Sequence, residues 1–403
     1  MVVNQVGPPV RGKNCYGREA TVDLIWEKLS RGHVLLAAPR RFGKTSLIYR
    51  LLDEPRWDYK VLVADLEHLA EPAEFITSLA ELLVRDRQLG KLVRGLSYLP
   101  KTLWSGFRNT VEEVELYKLR VKLRGHLRPR WQESGEELLK KLADAPNPVV
   151  LMLDEFPMMI DRMARSEAHR EEARTFLRWL RSIRQSPGHQ NVRFLVAGSI
   201  GIGGILNQLS EASAINDFEQ IRLEPFSPNV AHAFLDELSQ AQETPLSPQS
   251  KRKMVELIGI LVPYFLQVLF SEVRKVYLQD RQPISPGDVE RIYHEKVLGV
   301  DCKTYFDHYY GRLRIYYQPQ EEKPIKRMLR ALAEVGSLTR DACYQCYRDE
   351  VGAGAELEQF NRLMVELEND FYIRFAPRAR RYEFASKLLR DWWLRHYGMG
   401  TEM

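Results

Sequence analysis

Five short apolar runs punctuate the first half of the chain: "GHVLLAA" (32–38), "YKVLVADLE" (59–67), "PNPVVLMLDE" (146–155), "VRFLVAGS" (192–199) and "DFEQIRLEPFS" (217–227). The first four are too short and too apolar to be amphipathic helices, which predicts buried strands, and the last, more polar, offers a fifth. Stretches with helical spacing separate them, such as "KTSLIYRLL" (44–52) and "EEARTFLRWLRSIRQ" (171–185). Alternating strands and helices predict an α/β fold with a parallel sheet covered on both faces. From residue 226 the pattern turns helical. "SPNVAHAFLDELSQA", "SPQSKRKMVELIGI", "VPYFLQVLFSEVRKVYL" and "SPGDVERIYHEKVL" each open on a capping serine or a proline. Beyond about residue 320 come three more helical stretches. They are followed by "FYIRF-APRA-RRYEF" (371–384), which is two aromatic strands around a short turn, and by "ASKLLRDWWLRHYG". Helices followed by a hairpin are the order of a winged helix.

The chain has 403 residues, 44% of them hydrophobic, so two or three globular domains are expected. No apolar run approaches the ~18 residues of a membrane helix, and the first residues lack the apolar core of a secretory signal. Four cysteines do not form a disulfide scaffold, so a reducing, cytoplasmic setting is expected. "CYQC" (343–346) has metal-like spacing, but it lacks a second Cys/His pair and reads as helix packing. A net charge of +5 permits a nucleic-acid partner without requiring one.

The candidate chemistry begins where the first strand ends. "AAPRRFGKTS" (37–46) carries Gly43, Lys44 and Thr45 in the order of a phosphate-binding loop, with Ala38 where a glycine usually stands. Ala38, Pro39, Arg40, Arg41, Phe42, Gly43 and Ser46 are the surroundings expected for the phosphates, all but Pro39 able to offer a backbone N–H. Lys44 is expected to reach the β- and γ-phosphates, and the Thr45 hydroxyl to bind Mg²⁺. The third run ends in Asp154 and Glu155. A carboxylate there can hold Mg²⁺, and its neighbour can polarise a water for attack on the γ-phosphate. The fourth run ends at Ser199, a small polar side chain able to contact the γ-phosphate or that water.

"NCYGRE" (14–19), "APRRFGKTSL" (38–47), "VVLMLDEFP" (149–157) and "FLVAGSIG" (194–201) occur in this order. Together they resemble the archaeal-type ATPases of the AAA+/STAND branch of P-loop NTPases. The resemblance covers roughly residues 10–225. It makes the double arginine a family trait and implies a five-stranded core with the loop strand at its centre. It also implies that Tyr16, Gly17 and Arg18 flank the adenine, that Ser199 is the polar residue called sensor 1, and that Pro263 marks the lid helix. The family implies ATP, Mg²⁺ and a winged helix. The expected division is a P-loop ATPase core (1–225), a helical lid (226–315) and a winged-helix domain (316–403).

Two basic groups remain. Arg378, Arg380 and Arg381 cluster at the tip of the expected wing, either touching a DNA backbone or lying in solvent. Within an insertion at about 88–131, "KLRVKLR" alternates strictly, which predicts a hairpin strand with Lys118, Arg120, Lys122 and Arg124 on one face. Interspersed aromatics suit nucleic acid. The same pattern also suits an edge strand whose charges block aggregation. Arg178, Arg181 and Arg184 are candidates for an arginine finger toward a neighbouring subunit, or else the polar face of their helix. Two functions follow. The first is an ATP-hydrolysing switch that couples nucleotide state to double-stranded DNA. The second is a signalling scaffold whose ATP binding drives assembly with itself or a protein partner.

Overall fold

A computed structural model describes residues 3–198 and 201–398. Contacts divide the chain into two compact units. The sheet unit comprises Arg18–Ala38 and Lys44–Leu223; the helical unit comprises Met1–Gly17, Pro39–Gly43 and Glu224–Met403.

The sheet unit runs α1 (Glu19–Arg31), β1 (His33–Ala37), α2 (Lys44–Asp53), β2 (Lys60–Asp65), α3 (Pro72–Arg85), α4 (Lys101–Asn109), α5 (Glu113–Leu127), α6 (Trp131–Ala143), β3 (Val149–Asp154), α7 (Phe156–Ala164), α8 (Glu167–Gln185), β4 (Val192–Gly198), α9 (Ile202–Gln208) and β5 (Phe218–Arg222). The five apolar runs are the five strands, all parallel, in the order β2-β3-β4-β1-β5. Every residue of β3 is buried, as a strand covered on both faces requires. The strand leading into the phosphate loop is interior but not central. β4 holds the middle, with β1 between β4 and β5, because a single strand, β5, extends the sheet on that side.

The insertion contradicts its sequence reading. "KLRVKLR" is not a hairpin strand but part of α5. Its leucines explain why. Leu116, Leu123 and Leu127 are buried and Leu119 is partly so, at spacings of three and four, while Val121 lies outside. Seven alternating residues coincide with a helical stripe, and burying that stripe against α3 and α4 decides between the two. Opposite charges then zip α5 onto α3. Arg120 pairs with Glu81 (2.7 Å), Arg124 with Glu74, and Arg128 with Glu71 (2.6 Å). Lys118 pairs within its own helix with Glu115, and Lys122 is exposed.

The helical unit runs α10 (Pro228–Ala241), α11 (Pro248–Ile258), α12 (Pro263–Asp280), α13 (Pro286–Ile292), α14 (Lys303–Tyr316), α15 (Pro319–Val335), β6 (Ser337–Leu338), α16 (Arg340–Val351), α17 (Leu357–Asn369), β7 (Ile373–Ala376), β8 (Arg381–Phe384) and α18 (Lys387–Tyr397). Ser227, Ser247 and Ser285 accept the N–H groups of Val230, Ser250 and Asp288, which is why these helices begin where they do. Strands β7 and β8 form the expected antiparallel hairpin, and β6 extends it to three strands. Neither α14 nor β6 has a signature as clear as a serine cap or an apolar run. "CYQC" lies on α16, where Cys343 is fully buried.

Candidate nucleotide site

In the sheet unit, β1 and α2 bracket the phosphate loop, and β3 delivers its acids beside α2. Lys44 and Asp154 are both buried at the sheet's C-terminal edge. The Lys44 ammonium lies 3.0 Å from Asp154 Oδ1 and 2.6 Å from Glu155 Oε1. The Thr45 hydroxyl donates to Asp154 Oδ2 at 2.9 Å, and the Glu155 amide donates to Asp154 Oδ1 at 3.0 Å. Two pairs of side chains, more than a hundred residues apart in sequence, thus share one cluster. Two carboxylates pair with the lysine. The cluster can exchange these contacts for a phosphate's oxygens, because a lysine binds either anion as a point charge.

Glu155 caps α7 with φ 54° and ψ 30°, a left-handed conformation that is uncommon outside glycine. The bend turns its carboxylate toward Lys44 instead of continuing the strand. Its position is fixed from the side by Gly198, the last residue of β4. A Cβ there would come within 2.4 Å of the Pro157 ring, in the first turn of α7. Sequence reasoning passed over Gly198, although its place just before Ser199 was a signal. Ser199 itself lies outside the described residues.

Two oxygen donors in contact, the Thr45 hydroxyl and the Asp154 carboxylate, suit a Mg²⁺ that keeps most of its water and shares the phosphates. No group of three or more His, Cys, Asp or Glu able to hold a metal by themselves occurs among the described residues. Ser46, in the first turn of α2, and Arg18, just before α1, are buried.

The remaining candidates belong to the helical unit. The Tyr16 ring packs against Phe234 (5.4 Å between centroids) and Phe226 (6.4 Å). Gly17 has φ +63°, and a Cβ would meet Val230 at 2.6 Å, so glycine is needed there on both counts. Within the loop, Arg41 has φ 74° and Gly43 φ 89°. The Arg41 guanidinium lies 4.7 Å from the centre of the Tyr264 ring and donates to the Gly7 carbonyl at 3.2 Å. The Phe42 ring meets Phe371 edge-on at 4.7 Å. Pro263 takes the first position of α12, where its missing N–H costs nothing. His308 of α14 is held neutral, its pKa lowered to about 3, first by burial and then by Arg41, Arg312 and Arg40.

The arginines of α8 are occupied within the chain. Arg178 pairs with Glu211 (2.6 Å), Arg181 donates to the Ser213 hydroxyl (2.8 Å), and Arg184, almost wholly buried, pairs with Asp217 (2.9 Å). They form the polar face of their helix. At the hairpin, Arg378 and Arg380 are exposed, and Arg381 donates to the Ser337 carbonyl at 3.2 Å.

The fold and the order of its strands are those of an α/β P-loop NTPase. Two solved structures share the architecture over nearly the whole chain. One is the Walker-type ATPase PABY2304 of Pyrococcus abyssi, 18% identical, with a TM-score of 0.60, covering 96% of this chain and 99% of its own. The other is the ORC2 protein of Aeropyrum pernix, solved as ADPNP and ADP complexes. It is 13% identical, with a TM-score of 0.55, covering 97% of this chain and 96% of its own. No protein-family model matches the chain, and no curated protein sequence is similar to it.

Proposed function

We propose that the chain is an ATP-binding and ATP-hydrolysing switch of AAA+/STAND type that couples its nucleotide state to DNA. The buried Lys44–Asp154–Glu155–Thr45 cluster carries this reading. It supplies a cation for the phosphates, a hydroxyl and a carboxylate for Mg²⁺, and a second carboxylate for the attacking water. Mg²⁺, when bound, would neutralise charge on the phosphate oxygens. Lys44 would leave its carboxylates to hold the β- and γ-phosphates, and Glu155, so released, would accept the proton of the attacking water. Ser199 would contact the γ-phosphate as sensor 1. Tyr16, Gly17 and Arg18 would flank the adenine. Nucleotides in the complex of the Aeropyrum pernix protein support ATP as the ligand.

The division that serves this cycle is a core (1–225), a lid (226–315) that closes with nucleotide, and a winged helix (316–403) whose exposed Arg378 and Arg380 face a DNA backbone. The three-stranded sheet β6-β8-β7, with β6 after α15 and the β7–β8 hairpin after α16 and α17, supports the winged-helix assignment. The experiment is a pair of measurements on the purified chain. One follows binding of a fluorescent ATP analogue; the other follows phosphate release with and without Mg²⁺ and duplex DNA. Binding that depends on Lys44, with Mg²⁺-dependent release, is expected. An absence of nucleotide binding at any Mg²⁺ concentration would refute the reading. ATP-driven self-assembly with no response to DNA would turn it toward a signalling scaffold.

A further inference from the structure

The sequence places a basic segment in the insertion, and Glu74, Glu81 and Glu115 neutralise most of the part that alternates. The unneutralised part lies earlier. Between residues 85 and 108 the chain carries Arg85, Arg87, Lys91, Arg94, Lys101 and Arg108 against one acid, Asp86. That acid is engaged. It pairs with Lys60 at 2.6 Å and accepts the amide N–H groups of Gln88 and Leu89. Burial alone would raise its pKa, but the Leu89 amide and the Lys60 ammonium hold it below the ordinary value. Arg85 pairs with Glu81, and Arg108 donates to the carbonyls of Val84 and Asp86. Arg87, Lys91, Arg94 and Lys101 have no carboxylate partner among the described residues, and all four are exposed.

Two of these cations, Arg94 and Lys101, border a shaped site. Arg94, Lys101, Thr102, Trp104 and Ser105 line a concavity of about 260 Å³. Trp104 forms part of its wall, half-buried and fixed by an indole N–H that donates to the Gly90 carbonyl at 3.2 Å. The Arg94 guanidinium lies 5.2 Å from the ring centre. Lys91 stands three residues before Arg94 in the 3-10 turn Leu89–Gly95, where such residues eclipse, so it lies on the same side of that turn. No carboxylate lines it.

We infer that this face of the insertion binds the sugar–phosphate backbone of DNA, with Arg94 and Lys101 on phosphates and Trp104 against the sugar. The inference rests on the DNA half of the proposed function and gives it a surface separate from the hairpin arginines. A row of unpaired cations beside a fixed aromatic ring suits a repeating anion whose linkers are apolar. An acidic polypeptide is the competing ligand, and the test includes it.

The full-length chain is titrated with a labelled DNA duplex at several salt concentrations, with ATP and Mg²⁺ present. The proteins are wild type, R94E/K101E, the conservative R94K/K101R, and R378A/R380A. Wild type is expected to bind with a steep salt dependence. R94E/K101E is expected to weaken binding at least tenfold and to lower the salt slope by about 2, roughly one for each phosphate that is no longer neutralised. R94K/K101R is expected to keep the wild-type slope, because both charges remain. Unchanged ATP binding by R94E/K101E identifies a folded protein. If wild type binds but only R378A/R380A weakens it, this inference fails and the DNA reading stands. If wild type does not bind the duplex, the DNA reading fails with it. Polyglutamate that binds wild type as tightly as DNA and depends on the same two cations would also overturn the assignment.

Discussion

A carboxylate serves as a general base only where its geometry is held before the nucleotide arrives, and three local facts hold Glu155. Its amide is bound by Asp154, its backbone is left-handed, and Pro157 is seated against Gly198. Replacing Glu155 by Gln keeps the size and can still accept a hydrogen bond from Lys44, but it removes the basic oxygen. Glu155→Gln is therefore expected to bind ATP about as well as wild type and to lose turnover by about 10²–10⁴, the usual contribution of a positioned base. Single-turnover phosphate release beside equilibrium binding checks this, and ordinary turnover in the variant would remove Glu155 from the role. Lys44→Ala is expected to abolish nucleotide binding, read by the same assay. Gly198→Ala tests the seat. Its methyl must push the Pro157 ring away, so turnover is expected to fall while affinity for ADP changes little. Equal losses of both would point to general unfolding instead. The identities of these groups were legible in the sequence because a phosphate loop and an acid strand have fixed spacings. The Lys44–Glu155 contact and the Gly198 seat were not, because both depend on which strands become neighbours.

Strands and helices differ in how plainly their residues announce them. Strands β3 and β4 were readable because each is a short, mostly apolar run, a pattern imposed by burial on both faces, whereas the edge strand β5 alternates with polar residues. Serine caps marked α10, α11 and α13 in the same direct way. Helix α5 was not readable. Its basic residues and its apolar ones alternate for seven positions, and the choice is settled only by burial of the leucine stripe against α3 and α4, with Glu71, Glu74 and Glu81 pairing the arginines afterwards. The consequence is measurable. Leu123 is fully buried between helices, so Leu123→Ala is expected to cost about 2–4 kcal/mol in urea denaturation. Arg120→Ala is expected to cost less than about 1 kcal/mol, because that arginine is substantially exposed. Near-neutral behaviour of Leu123→Ala would mean that the leucine stripe is not packed against α3 and α4.

At the scale of the whole molecule, each unit carries a histidine that folding keeps neutral. In the sheet unit, His33 opens β1, and its Nδ1 accepts the Phe194 amide at 3.1 Å. Burial lowers its pKa to about 4, helped by Arg184 and Arg193 and opposed by Asp217. In the helical unit, His308 is lowered to about 3, first by burial and then by Arg41, Arg312 and Arg40. Both have ordinary values near 6.5 in the unfolded chain. Below that value the unfolded chain binds protons that the folded one does not, so folding stability falls as the pH falls. Each histidine contributes fully above pH 6.5 and loses its contribution progressively between 6.5 and its folded value, about 2 kcal/mol of it by pH 5. Urea midpoints are therefore expected to drop between pH 7 and pH 5, above the range where ordinary carboxylates titrate. His33→Gln offers an amide carbonyl to the Phe194 N–H but no group that protonates, so the drop is expected to shrink in that variant, most clearly in a probe of the sheet unit. A wild-type midpoint that stays level from pH 7 to pH 5 would mean that neither ring is held neutral by the fold.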